Sequence, residues 1–402
     1  MEWAIQDIEP LVEELRAAHA IYRPLVQRRE PRDAAPPSLQ GLLAELPRTS
    51  IEPRGLALAG GHPHAVRALQ ACISAGAWDE DALLLQHWQE VEQDLGEDDG
   101  GLMVDGRDVP KQGVHAAGVQ RQYGGALGTR ANGPAGVFVG SVSPQGSPRL
   151  ARRLSLPAEW RTDDADAERR RQGGMPPALT FTTTPALAEE MRTALVKTRR
   201  LRGRWVGADE ACGDNPGLLD GVAGLGWWDC AAVPHPTRVW GARPATQVPP
   251  GRGRGRRPQR ERVVAGAPAA RTVGEVAAAL PAEVGARQTI QEGRQGPMVA
   301  ECAALRVVAV RATLPGPHIW LVRRRHRATG EWKTSLGTAP VGTAWATQVR
   351  LRGRRWPIEP CVEDRKQRLG MGDYAVRGWV GWHHHRTLVI LAPFFVVRLS
   401  LR

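Results

Sequence analysis

Residues 354–366 combine acids and bases in a pattern that could do chemistry on a phosphate group. Glu359, Glu363 and Lys366 are spaced i, i+4 and i+7, so a helix would carry all three on one face. Arg354 and Arg355 come just before this face. An acid that holds a metal ion, flanked by bases that hold a phosphate backbone, would have this arrangement.

Two further acids follow short apolar runs that we predict to be strands. Asp105 comes after residues 102–104, and Asp209 comes after residues 205–208. In an open α/β sheet, reactive groups collect at the carboxyl ends of strands. Asp105, Asp209 and Glu359 brought together there would repel one another unless a cation lay between them. Oxygen ligands of this kind favour Mg²⁺ or Mn²⁺ over Zn²⁺.

Each of these acids also has a simpler interpretation. A strand-terminal Asp is more often a turn residue or the N-cap of a helix than a metal ligand. The spacing alone therefore leaves both roles open for Asp105 and Asp209.

The charge balance favours a polyanionic partner. The chain has 54 Lys and Arg residues against 42 Asp and Glu, a net charge of +12 and an isoelectric point near 10.4. Nucleic acid is the usual partner of so basic a protein. A merely soluble basic protein is the alternative, and the excess of Arg over Lys can also reflect a GC-rich genome.

Cysteine usage and hydropathy predict a soluble protein of the cytoplasm. The five cysteines form no CxxC pair, so neither a zinc site nor a disulfide framework is indicated. The N-terminal residues carry an acid where a signal peptide would carry bases. The longest apolar run, residues 388–397, is shorter than the roughly 20 residues that span a bilayer.

The chain divides by pattern into four predicted domains, which together predict an α/β fold. Residues 1–95 have helical periodicity, and residues 96–234 alternate strands with a helix. Residues 235–350 read as a β-rich insertion, which contains a basic Gly/Arg loop at Gly251–Pro258. This loop could wrap DNA or be a disordered linker, and the two roles are compatible. Residues 351–402 return to helix.

Two groups of aromatic residues have competing interpretations. The run His383-His384-His385 cannot direct all three rings at one metal ion on a helix, so we interpret it as an exposed helix face. Trp320 and Trp332 could stack on an unpaired base. We interpret them instead as core residues of the β-rich insertion.

Three motif blocks stand in order along residues 80–395. The first block runs from Val104-Asp105 through Pro110-Lys111-Gln112-Gly113 and residues 117–123 to Asn132 and residues 136–138. The second block is Trp205-Val206-Gly207-Ala208-Asp209-Glu210, before Gly213. The third block is Arg355-Trp356-Pro357-Ile358-Glu359 with Lys366, Leu369-Gly370, Trp379 and Gly381-Trp382-His383. In these blocks the chain resembles the DDE transposases of bacterial insertion sequences, a DDE superfamily endonuclease group, in the branch with a Tyr-Arg-Glu-Lys signature.

The resemblance implies an RNase H-like catalytic core, with a mixed five-stranded sheet flanked by helices. Asp105, Asp209 and Glu359 would be its catalytic, metal-binding triad and would hold two Mg²⁺ or Mn²⁺ ions. The long interval between Asp209 and Glu359 would contain the β-rich insertion that similar transposases carry. From its position alone, the N-terminal region is a candidate for binding DNA ends.

The resemblance also implies which bases contact DNA. Arg355 and Lys366 match the Arg and Lys of the signature, and Lys111 belongs to the first block. The signature Tyr would fall at Arg352, where an arginine can also hold a phosphate. Other departures are Gly106 after the first acid, Ala211-Cys212 before Gly213, and Pro360 after the third acid.

The function implied is a DNA transposase that cleaves phosphodiesters and transfers strands at insertion-sequence ends. Its partners would be double-stranded DNA, as terminal inverted repeats and target, and a second copy of the chain in a homodimer on two ends. It would work in the bacterial nucleoid, with no membrane. Two alternatives stay open: a catalytically inactive, transposase-derived DNA-binding protein, and a structure-selective nuclease unrelated to transposition.

Overall fold

The structure is a computed structural model that describes most of the chain. The described residues are 5–44, 46, 50–58, 62–124, 129–143, 146–157, 160, 164–198, 200–213, 215–250, 258–281, 286–293, 296–325, 332–353 and 375–401. The chain forms two compact units. Unit 1 comprises Met1–Gly203 and Pro357–Arg402, and unit 2 comprises Arg204–Trp356. This division differs from the four domains expected from the sequence, whose boundaries stay predictions.

Unit 1 begins with helices, in line with the helical content predicted for residues 1–95. They are α1 (Ile5–Tyr22), a 3-10 turn (Arg23–Leu25), α2 (Arg29–Leu43), α3 (Ile51–Leu58), α4 (Pro63–Ser74) and α5 (Glu80–Leu95). Local sequence explains their starts. Pro63 occupies the first turn of α4, where its missing N–H costs nothing. Asp79 caps α5 by accepting hydrogen bonds from the N–H groups of Asp81 and Ala82.

Five strands and two helices follow in unit 1. They are β1 (Gly101–Asp108), β2 (Gln120–Gly124), β3 (Thr129–Gly133), β4 (Ala135–Val142), β5 (Arg149–Ser155), α6 (Asp164–Gln172) and α7 (Thr184–Lys197). Strands β1, β4 and β5 form an antiparallel meander, and β2 pairs with β3 as a separate hairpin. On α7 the side chains of Leu187, Met191 and Leu195 are buried, which is the face that their spacing predicts.

Unit 2 is built around one sheet. Its elements are β6 (Trp205–Ala208), α8 (Glu210–Gly213), α9 (Pro216–Gly224), β7 (Trp228–Ala232), β8 (Arg238–Trp240), β9 (Thr246–Gln247), β10 (Arg262–Val263), β11 (Arg271–Thr272), α10 (Val273–Ala278), β12 (Ala286–Gly293), β13 (Gly296–Arg311), β14 (Leu314–Arg325), β15 (Trp332–Gly337) and α11 (Trp345–Gly353). The strand order is β11-β8-β13-β14-β15-β7-β6, with β12 also paired to β13. Only β6 and β7 are parallel among these described pairs.

The long β13–β14–β15 meander fits the β-rich content predicted for residues 235–350. One sheet face carries an apolar core that includes Val239, Val273 and Leu321. On the other face, Val349 of α11 packs with Ala300 and Cys302. Both units thus combine helices with strands, so the α/β class predicted from the sequence is confirmed.

Helix α12 (Trp379–Ser400) closes the core of unit 1. It packs against α2, α4, α5 and β5, and its residues are buried on nearly every side. The apolar run at residues 388–397 therefore lies inside the protein. Over the described residues, no helix combines the length and the apolar character that crossing a membrane would need.

Candidate active site

Asp105 lies in the middle of β1. The three residues before it, Leu102, Met103 and Val104, are buried, and Asp105 itself is half-buried opposite Phe138 of β4. The prediction that the strand ends at this acid is wrong. The ladder between β1 and β4 continues for three more residues, to Asp108 opposite Ala135.

The register of the meander connects Asp105 with the third motif block. Phe138 is opposite Asp105 on one side and opposite Arg152 of β5 on the other, and directly opposed residues project from the same sheet face. The Phe138 ring centroid lies 6.5 Å from that of Trp382, which is buried on α12. Residues of the first and third blocks therefore pack together inside unit 1.

Lys111 strengthens this connection. Its Nζ donates to the Val376 carbonyl at 2.6 Å, and the Ala117 N–H donates to the Arg377 carbonyl at 2.8 Å. The loop after β1 therefore holds the chain just before α12. Burial lowers the pKa of Lys111 to about 8, and the nearby charges of Arg386 and Arg377 add to the effect. The DNA contact expected of Lys111 stays a prediction.

Asn132 fixes the same loop from the β2–β3 hairpin. Its Nδ2 donates to the carbonyls of Lys111 and Gly113, each at 2.8 Å. Because one side-chain amide satisfies two loop carbonyls, the backbone at Lys111 is held in place. This explains the position of Asn132 in the first block.

The histidine run is buried, so the prediction of an exposed helix face is wrong. His383, His384 and His385 are 4%, 2% and 1% exposed. His383 Nδ1 lies 2.9 Å from its own helix's Trp379 carbonyl, and His384 Nδ1 lies 3.1 Å from the Ile73 carbonyl. Because α12 is surrounded by other elements, these rings face protein on all sides, and burial lowers the pKa of His383 to about 3.

A buried charge network connects α5, β5 and α12. Arg152 is fully buried, with guanidinium nitrogens 3.5 Å from Glu80 Oε1 and 3.6 Å from Asp81 Oδ1. Glu80 Oε2 also lies 3.5 Å from His384 Nε2. Glu80, Asp81 and Arg152 border a cavity of about 340 Å³ that His383 also lines. Acids and bases offset one another there, so the network joins elements without presenting an excess of either charge.

In unit 2, Asp209 directly follows β6 and begins α8. Its Oδ1 accepts a hydrogen bond from the Cys212 N–H at 3.0 Å, so it is an N-cap, the simpler of the two interpretations. Metal binding by this residue stays a prediction. Gly213 has to be glycine here, because a Cβ would lie 2.1 Å from the Ala232 carbonyl oxygen.

Arg352 is held against the sheet of unit 2. Its Nε donates to Ser335 Oγ at 2.9 Å and its Nη1 donates to the Gln348 carbonyl at 3.0 Å. These bonds orient the guanidinium, and its expected DNA contact stays a prediction. Trp320 and Trp332, interpreted as insertion core, are half-buried and lie beneath arginine guanidinium groups.

Asp229 is a buried acid that the sequence reasoning missed. It is 3% exposed and accepts a hydrogen bond from Thr338 Oγ1 at 2.6 Å. Burial raises its pKa to about 6, although Thr338 and the charges of Arg352 and Arg311 act in the opposite direction. The available signal was a charged residue inside the otherwise apolar strand at residues 228–233.

The grouping of the three predicted acids stays a prediction. Asp105 belongs to unit 1 and Asp209 to unit 2. Glu359, Arg355 and Lys366 lie outside the described residues, as does most of the Gly/Arg loop. Within the described ranges, no three His, Cys, Asp or Glu side chains are grouped so as to hold a metal ion.

Comparison with protein-family models gives a match. The sequence model of a family described as DDE superfamily endonuclease covers residues 22–297, more than half of the chain. This span includes Asp105 and Asp209 and ends before Glu359. No curated protein matches the chain. Endonucleases of this superfamily use divalent metal ions. The chain belongs to the DDE superfamily endonucleases.

Proposed function

We propose that this protein is a DNA transposase of a bacterial insertion sequence, in the Tyr-Arg-Glu-Lys signature branch. It would cut the element ends and join them to target DNA, acting as a homodimer on two ends in the nucleoid. The observation that carries the proposal is the family match over residues 22–297, which contains the first two acids in their motif blocks. The packing of Phe138 against Trp382 supports it, because residues of the first and third blocks meet beside Asp105.

We also propose an RNase H-like catalytic core. Such a core would combine the antiparallel meander β1-β4-β5 with the parallel pair β6–β7, whose connection is α8 and α9. Asp105 on β1 and Asp209 after β6 would be two of its metal-binding acids, with Glu359 as the third. The helical N-terminal region would bind DNA ends, and β8–β15 would form the insertion.

The donor set fits divalent ions. Asp105 is a half-buried carboxylate that follows the apolar residues 102–104 on β1, and Asp209 is a carboxylate at a strand end. With Glu359 they would offer the oxygen ligands that Mg²⁺ and Mn²⁺ prefer. When bound, two such ions would supply activation of the attacking hydroxyl and stabilisation of the leaving oxygen.

The reaction would proceed in two in-line steps. In the first, water forms a bond to phosphorus, the bond from phosphorus to the 3′ oxygen breaks, and the 3′ hydroxyl leaves with a proton. In the second, that hydroxyl loses its proton and its oxygen bonds to a target phosphorus, while the bond from that phosphorus to the target's own 3′ oxygen breaks and this oxygen leaves as a hydroxyl. Arg352, Arg355, Lys366 and Lys111 would hold phosphates and orient the strand without reading its sequence. Lys111 suits this role because its bond to Val376 fixes where its charge lies.

Cleavage of a labelled DNA fragment that carries the native element end tests the proposal. We expect cutting at the element boundary with Mg²⁺ or Mn²⁺ by the wild-type protein. Asp105→Ala, Asp209→Ala and Glu359→Ala should each abolish cutting while end binding is kept. Glu261→Ala, which changes an exposed acid of unit 2, is the matched control and should cut normally.

The outcomes separate the alternatives. Cutting by all three variants would overturn the catalytic role proposed for Asp105, Asp209 and Glu359. End-specific binding without cutting in either metal would indicate an inactive, transposase-derived DNA-binding protein. Cutting that ignores the terminal sequence would indicate a structure-selective nuclease.

A further inference from the structure

One face of the unit 2 sheet collects cations around an aromatic ring. Arg306 of β13 is opposite Trp320 of β14, which is opposite Gly337 of β15. Directly opposed residues share a face, and so do residues two apart along a strand. His318 therefore lies on the same face as Arg306 and Trp320. We call these three residues the cation–aromatic row.

Further positive charge lies on the same face. Arg324 lies four residues after Trp320 on β14, so it is on the same face, and it is opposite both Cys302 and Lys333. The Arg352 guanidinium reaches over Gly337, since a Cβ at that glycine would lie 2.8 Å from Arg352 Nη2. The field of these groups adds to that of the cation–aromatic row.

Arg306 is oriented by neutral groups. Its guanidinium carbon lies 5.1 Å from the centroid of the Trp320 ring, and its Nη2 donates to the His318 carbonyl at 3.0 Å. Trp320 is fixed in turn, because its Nε1 donates to the Ala339 carbonyl at 3.0 Å. A ring and a carbonyl hold the guanidinium plane but do not neutralise its charge. Arg306 and Trp320 are half-exposed and His318 is exposed, so solvent reaches the row.

Acids are absent from this face over the described paired positions. The residues in register on it include Cys230, Ala232, Trp240, Ala286, Gln288, Ala300, Cys302, Ala304, Arg306, Val308, His318, Trp320, Val322, Arg324, Lys333, Ser335 and Gly337. Glu301 alternates to the opposite face, where it lies 3.9 Å from Arg325. The described strands therefore place no carboxylate beside the cation–aromatic row.

We propose that the cation–aromatic row is a DNA contact surface that binds the phosphate backbone of duplex DNA. A planar guanidinium held by stacking is suited to a phosphate, because little freedom is lost when it forms paired hydrogen bonds. The Trp320 face beneath Arg306 is occupied by that guanidinium, which favours phosphate contact over base stacking there. The identity of the polyanion rests on the proposed function, but the surface lies outside the proposed catalytic residues.

The salt dependence of binding tests this proposal. Anisotropy of labelled element-end duplex is measured in EDTA at several NaCl concentrations, so that no cutting occurs. Each phosphate contact contributes about 0.9 to the slope of log K against log salt. Arg306→Gln should weaken binding several-fold and reduce the slope by about this amount. Arg306→Lys, which keeps the charge, should keep the slope.

Arg262→Gln is the matched control, because Arg262 is an exposed arginine of the same unit on the separate β9–β10 pair. It should not change the slope. An unchanged slope of log K against log salt in Arg306→Gln would overturn the proposal that the cation–aromatic row binds DNA. So would equal loss of binding in the Gln and Lys variants, since that would mean Arg306 acts only through packing. Absence of metal-dependent cutting by wild-type protein would refute the proposed function and leave the slope result standing.

Discussion

Arg398 of unit 1 and Arg306 of unit 2 are held in opposite ways. In unit 1, Arg398 of α12 is mostly buried and lies 3.0 Å from Glu90 and 2.8 Å from Asp94 of α5. In unit 2, Arg306 is half-exposed and is oriented by a ring and a carbonyl. The first arrangement neutralises the charge inside the protein, and the second leaves it for a ligand. The same residue type thus serves stability in one unit and, in our proposal, binding in the other.

The largest effect should come from breaking the buried pair in unit 1. Arg398→Ala leaves Glu90 and Asp94 without their cation, and the loss of one partner of a buried pair costs about 3 kcal/mol or more of unfolding free energy. Urea unfolding measures this. Arg202→Ala is the matched control, since Arg202 also pairs with an α5 acid, Glu92, but is 55% exposed. That change should cost less than about 1 kcal/mol. Equal costs would contradict the comparison.

In unit 2 the carboxyl group of Asp229 is buried, and the pH dependence of stability should reveal the cost of ionising it. The pKa of Asp229 is raised from 3.8 to about 6 in the folded protein, so the folded state binds protons more readily than the unfolded state. Stability from this group therefore rises as pH falls from about 7 to about 4, by about 2–3 kcal/mol. Asp229→Asn should be more stable than wild type at pH 8, and the difference should vanish near pH 4.

Urea unfolding at pH 4, 6 and 8 checks the Asp229 prediction. Asp220→Asn is the control, because Asp220 is 59% exposed and pairs with Arg311 at the surface. A variant of Asp229 that is less stable than wild type at pH 8 would show that its charge is compensated after all.

A smaller loss of stability should follow from adding a methyl group at Gly213, four residues after Asp209. Gly213→Ala places a Cβ against the Ala232 carbonyl, and overpacking of this kind costs about 1–3 kcal/mol. Because α8 must shift, cutting should also fall. Gly224→Ala is the control, since a Cβ there meets nothing within 4 Å. Thermal unfolding together with the cleavage assay would show whether the two variants differ as expected.

The smallest stability effect should belong to Arg306. Removing its contact with Trp320 should cost less than about 1 kcal/mol, because exposed cation–π contacts contribute little. The same Arg306→Gln variant should lose DNA affinity. Chemical denaturation and DNA titration of one preparation would test both halves, and a large loss of stability would place Arg306 with the structural arginines of unit 1.

The sequence predicted helices and strands better than it predicted what packs around each residue. The apolar run before Asp105 predicted a strand, but its length depended on pairing with β4, which no local pattern encodes. The helical spacing of Leu187, Met191 and Leu195 sufficed for α7, because one face of a helix is a local property. Asp209 was correctly predicted to follow a strand, for the same reason.

The burial of polar side chains could not be predicted from the sequence. The His383–His385 run looked like a solvated face because polar residues usually are solvated. Its burial depends on α4 and α5, which are about 300 residues away in sequence, as the contact between His384 and Ile73 shows with a separation of 311 residues. Asp229 was missed in the same way, since its environment is made by Thr338 of a distant segment.

The bond between Lys111 and Val376 has a consequence for how the protein is made. These residues are 265 positions apart, and all of unit 2 is synthesised between them. Unit 1 therefore cannot complete its core until α12 has been synthesised. Until then the apolar surface of its first helices stays exposed. Such long-range closure is slow and exposes the nascent chain to aggregation. Unit 2, a continuous segment with its own core, can fold first on the ribosome.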